Sequence, residues 1–157
     1  MISYLQFLLK SNNQHGVHSP FVFNYLTKGL YVCKKSYSSE RNLSVRLILS
    51  TIAYFDFKKI EVKNETLQQK IQNHFPQTSV NTTQQPFDLI ITDNVESVGL
   101  HQKQMHNNSL LILHNISGRQ RKIFHKISGF TLVLDFYHTI IFSVRREQLP
   151  QTFYLRY

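Results

Sequence analysis

The run Phe87-Asp88-Leu89-Ile90-Ile91-Thr92-Asp93 constrains the fold more than any other stretch of the chain. Its apolar residues do not alternate cleanly with polar ones. That is the pattern of a strand covered on both faces, as in a parallel sheet flanked by helices. Asp93 would then stand at the carboxyl end of the strand, where open α/β sheets bind their ligands. Residues 110–113 repeat the pattern and end in His114-Asn115. The polar stretch 96–106 between them is long enough to cross over as a helix. A strand–helix–strand unit is therefore the expected centre of the molecule.

On the amino-terminal side, Tyr4–Lys10 reads as a short apolar helix, followed by a turn-forming stretch from Asn12 to Pro20. Ser19 before Pro20 marks a helix start, with the hydroxyl as cap and proline at the first helical position. Phe21, Tyr25, Leu26 and Leu30 then recur at helical spacing to about Tyr31, and the serine-rich residues 34–42 read as a loop. Leu43–Phe55 is a second amphipathic helix, with Leu47, Ile48 and Ile52 on one side. From Lys59 the pattern alternates. Lys59–Val62 is a strand, Asn64 caps a helix to about Phe75, and residues 79–81 add a short strand. Residues 117–126 predict a basic helix stopped at Ser128-Gly129. The β-rich runs 131–135 and 139–144 are joined by three residues, a connection that permits only an antiparallel hairpin. Residues 153–157 predict a last edge strand. This succession predicts an α/β fold, with a Rossmann-like sheet and a reversed edge. Residues 1–42 form an N-terminal helical extension to one compact unit at 43–157.

A chain of 157 residues can bury one sizeable core. Its lone cysteine, Cys33, excludes an intrachain disulfide and suits a reducing compartment. The adjacent Lys34-Lys35 pair would depress the Cys33 pKa, although a cysteine without a partner more often serves as a small hydrophobe. No apolar run approaches the roughly 20 residues that span a bilayer, and no basic leader opens the chain, so a cytoplasmic location is expected. Eighteen Lys and Arg against nine Asp and Glu leave a net charge of +9. Such a field attracts polyanions, nucleic acid among them. Arg119, Arg121, Lys122 and Lys126 are the expected anion-binding stripe, since 119, 122 and 126 share a helix face; a solvated face is the plainer alternative. His15 and His18 sit three residues apart, but no cysteine or third histidine completes a zinc site. A structural role at the helix entry is preferred, and no metal is expected.

His15-Gly16-Val17-His18-Ser19-Pro20-Phe21-Val22-Phe23 resembles the N-terminal signature of a group of small bacterial class I S-adenosylmethionine-dependent methyltransferases. Phe87 to Asp93 resembles that group's fourth strand, and Asn107-Asn108-Ser109 running into residues 110–116 resembles its fifth. Residues 131–157, with Phe142 and Arg146-Glu147-Gln148, are similar to its terminal hairpin and tail. The resemblance implies S-adenosylmethionine as cofactor, with Glu61 or Glu65 near the ribose-binding carboxylate and Asp93 and His114 at the same rim.

Three departures fall in that one site. The family's glycine-rich turn is missing, for no glycine occurs between Gly29 and Gly99. His114-Asn115 replaces an acidic pair. The interval before Phe87 holds about one βα unit, where each βαβ unit takes roughly 30 residues. The expectation is a sheet reduced in strand number, and a degenerate, catalytically inactive homologue that no longer binds the cofactor and acts as a binding or scaffold protein. An active methyltransferase on an unknown acceptor and a basic nucleic-acid-associated protein are the rivals. A shortened sheet would also expose its first strand, and homodimerisation through that edge is expected.

Overall fold

The computed structural model describes residues 4–12, 16–124 and 126–157; His15 of the amino-terminal signature lies outside them. Helix α1 (Tyr4–Lys10) precedes a long helical segment built from α2 (Pro20–Asn24), a π-helical turn (Tyr25–Leu30) and α3 (Tyr31–Ser36). Then follow α4 (Leu43–Phe55), β1 (Lys59–Val62), α5 (Glu65–His74), β2 (Ser79–Val80) and β3 (Phe87–Thr92). After β3 come α6 (Val98–His101), β4 (Met105–His114), α7 (Gly118–Phe124), β5 (Leu132–Asp135), β6 (Thr139–Ser143) and β7 (Gln151–Tyr154).

The strands form one mixed sheet in the order β2-β1-β3-β4-β6-β5-β7. β2, β1, β3 and β4 pair in parallel, β6 runs antiparallel between β4 and β5, and β7 lies parallel to β5. The expected reduction in strand number is thus corrected: the described residues form seven strands, although β2 is only two residues long. β1 is not left bare either. Val62 donates its amide to the side chain of Asn81 at 2.8 Å, and Asn81 donates its own amide to the Ile60 carbonyl.

Period-two alternation splits the strands between two apolar layers. Ile60, Val62, Leu89, Ile91, Leu110 and Ile112 face the layer filled by Val22, Tyr25, Leu26 and Leu30, by Leu47, Ile48 and Ile52 of α4, and by Leu67 and Ile71 of α5. Ile90, Leu111, Leu113, Ile140 and Phe142 face a smaller layer closed by Val95, Val98, Ile116 and Phe124. The amino-terminal helices therefore share the core of the sheet.

Two expectations change here. The crossover is not a helix over 96–106. Two 3₁₀ turns bracket the one-turn α6, and β4 begins at Met105. Ser109, fully buried, explains the early start: its hydroxyl donates to the Phe87 carbonyl at 2.5 Å and accepts the His106 amide at 2.8 Å. This serine bond carries the pairing through a register shift opposite Phe87 and Leu89, so a polar Asn107-Asn108 segment still belongs to the strand. The helix over the first half likewise runs on to Ser36, into residues expected to be a loop.

Candidate functional site

At the carboxyl edge of the parallel strands, two helices begin side by side. Asn42 caps α4, its Oδ1 accepting the Ser44 and Val45 amides at 2.9 and 3.2 Å. Asn64 caps α5, its Oδ1 accepting the Leu67 amide at 2.9 Å. Both asparagines hold extended backbone, as cap residues do. With Val45, Thr66, Leu67, Lys70, His114 and Asn115 they line a cavity of about 220 Å³. It continues past Asn42 and Asn115 into an open depression toward His138.

His114 ends β4 and is buried, with 4 % of its surface exposed. Alternation explains it, because Leu113 belongs to the small layer and His114 to the opposite face. Asn115 follows at φ 55°, a left-handed conformation asparagine tolerates, and turns the chain away. Burial pushes the His114 pKa below its ordinary value, while the Asp93 carboxylate and the Asn115 side chain pull only partly the other way. The imidazole is neutral at pH 7. Its Nδ1 is buried without a hydrogen-bond partner. We assign the proton to Nε2, since a bare acceptor is cheaper to bury than an orphaned donor.

Of the three expected cofactor-binding residues, two come together. Asp93, exposed, follows Thr92, which pairs with Leu113, so it stands level with His114. It does not cap the following turn; Asn94 does, accepting the Glu96 amide at 2.9 Å. Glu61 pairs with Ile90, some 10 Å lower along the strands at about 3.3 Å per residue. Its side chain lines a separate, open hollow of about 320 Å³ with Asn81, Thr82, Thr83 and Gln85. Glu65 is exposed in the first turn of α5.

The basic stripe is also redrawn. Arg119, Lys122 and Lys126 are exposed, but Arg121 is buried and spoken for. Its guanidinium meets Asp135 in a two-pronged bond at 2.7 and 3.1 Å, donates to the Tyr137 carbonyl, and lies 4.4 Å over the Tyr137 ring. Sequence spacing could not find this pairing, because Asp135 sits in a different element. α7 ends at Phe124, so Lys126 stands beyond the helix on which the shared face was expected.

In the signature, Ser19 accepts the Val22 amide at 3.4 Å and donates to Gln148 at 3.3 Å, with Pro20 opening α2. Gly16 packs against the Asn12 side chain, and His18 is exposed. Burial raises the Cys33 pKa, the reverse of the depression expected from Lys34-Lys35. Among the described residues no helix is long and apolar enough to cross a membrane. No family model, no curated protein and no solved structure matches the chain.

Proposed function

We propose that this chain is a Rossmann-like, class I methyltransferase-type domain that does not bind S-adenosylmethionine and works by binding rather than by catalysis. The observation that carries the reading is the rim above β1. Lys63 and Asn64 follow the strand directly, and Asn64 commits its side chain to capping α5. A nucleoside lying on that turn needs backbone without a Cβ in the way, and no glycine occurs there. The separation of Glu61 from Asp93 and His114 argues in the same direction.

The parallel β1, β3 and β4 finishing in an antiparallel β5–β6 hairpin favours the family reading. The rival, an active methyltransferase with its cofactor over the ends of β1 and β3, is separated by calorimetry with S-adenosylmethionine and its demethylated product. Absence of heat from either titration is the expected outcome. Micromolar binding of either overturns the proposal.

A further inference from the structure

We propose that the outward face of α1 docks the protein on an anionic lipid surface. α1 is apolar on two opposite sides, and the fold covers only one of them. Phe7, 2 % exposed, is the inward anchor: its ring lies 5.2 Å from the Tyr137 ring and 6.2 Å from that of Tyr154. Leu5 and Leu9 stand one helical turn apart on the opposite side, 70 and 82 % exposed, with Tyr4 beside them at 53 %. A helix packed by one face on a core ordinarily turns polar residues outward. Here a contiguous apolar stripe stands in solvent on a helix the core already holds, and such a stripe marks a surface that meets something apolar.

Charge selects the occupant. No Asp or Glu occurs among residues 1–39 or 148–157, the segments that carry and adjoin α1, whereas Lys10, Lys28, Lys34, Lys35 and Arg156 do. Three of these cations lie at α1 itself. Lys10 closes its last turn and is exposed. The Arg156 guanidinium donates to the Leu8 and Ser11 carbonyls at 2.7 and 3.2 Å. Lys34 lies 5.0 Å over the ring of Tyr157, which lines one cavity with Tyr4 and Leu8. Arg121 also approaches Phe7, but Asp135 neutralises it. A second copy of the chain would set this positive flank against itself, and each copy carries +9. Nucleic acid would satisfy the cations and leave Leu5 and Leu9 in water. A bilayer with anionic headgroups answers both, since the leucines and Tyr4 enter the boundary between headgroups and acyl chains while the cations stay at the phosphates. The inference does not require the methyltransferase resemblance.

The test uses the intact chain carrying Leu9→Trp; the sequence has no tryptophan of its own, so emission reports this one position. Titration with vesicles of phosphatidylcholine and phosphatidylserine in equal parts should shift the emission to the blue, and raised salt should reverse the shift. Vesicles of phosphatidylcholine alone should bind about tenfold more weakly or less. Leu5→Gln combined with Leu9→Gln changes two exposed positions, so the urea midpoint should stay at the parent's value. Affinity for the mixed vesicles, read by sedimentation, should fall about tenfold or more. Absence of a blue shift with mixed vesicles overturns the proposal, as does an affinity that the double glutamine variant leaves unchanged. A shift given by duplex DNA and not by vesicles assigns the face to nucleic acid and overturns it too. So does a dimer in light scattering that Leu9→Gln dissolves, which assigns the face to a second copy. A positive S-adenosylmethionine titration would sink the preceding proposal while leaving this result intact.

Discussion

Tyr25 and Thr51 form a small polar pair sealed inside the main core, their oxygens 2.6 Å apart. Thr51 spends its only hydroxyl proton on the Leu47 carbonyl at 2.7 Å, so Tyr25 must be the donor between them. Burial drives the Tyr25 pKa far upward and keeps the phenol neutral. The two conservative deletions should therefore differ. Tyr25→Phe removes a donor and leaves Thr51 bonded, at a cost of about 0.5–1.5 kcal/mol. Thr51→Val strands a buried hydroxyl and should cost about 1–3 kcal/mol, as read from urea midpoints. Asp88, at the opposite edge of the sheet, supplies a pH dependence. Burial alone would raise its pKa, but His106 and the Lys58 and Lys59 amides, all within 2.9 Å, hold it below the ordinary carboxylate value. That stabilisation is complete above the unfolded value of about 3.9 and is lost as pH falls through the lower folded value. Asp88→Asn should unfold at lower urea than the parent near about pH 6, with the gap narrowing only as the pH falls below the ordinary carboxylate value of about 3.9.

Among the elements, the π-helical turn depends on one glycine. A Cβ on Gly29 would lie 2.8 Å from Cγ of Tyr54, the root of the ring, which cannot swing aside without moving α4. Gly29→Ala should therefore lower stability by about 1–3 kcal/mol in thermal unfolding, outweighing the ordinary helical preference for alanine of up to about 1 kcal/mol. Elements whose apolar residues carry the local pattern were legible beforehand: α4, β1 and β3 have the expected bounds, and Asn64 caps α5 as read. β4 was half hidden because its first residues are polar and are held by the Ser109 hydroxyl, an arrangement that hydropathy does not register. The site was legible only as a level in the sheet. Alternation can say that His114 faces inward once the strand is extended to include it. No local pattern joins Asn42 to Asn64, since they meet only because α4 and α5 pack on the same face.

For the molecule as a whole, charge is the property most exposed to its surroundings. The net charge is +9, and Arg119, Lys122 and Lys126 extend into solvent, whereas Arg121 is fixed to Asp135. Replacing the three exposed cations with glutamine should leave folding intact. If the chain meets nucleic acid through this surface, binding should weaken evenly across sequences, and the slope of log affinity against log salt should flatten by up to about three. An unchanged slope in a filter-binding series excludes the surface. Arg121 does not belong in that set, because removing it would leave the Asp135 carboxylate buried and unpaired.

The flank beyond β1 has a further bearing on how copies of the chain behave together. After two residues of β2, Asn81 bends the backbone at φ 55° and turns its side chain back to satisfy Val62. An incoming strand from a neighbour finds there a kinked, amide-plugged rung where a straight template would be needed. A strand added from this side would first have to displace that carboxamide from the Val62 amide, which it occupies in place of a missing stretch of sheet.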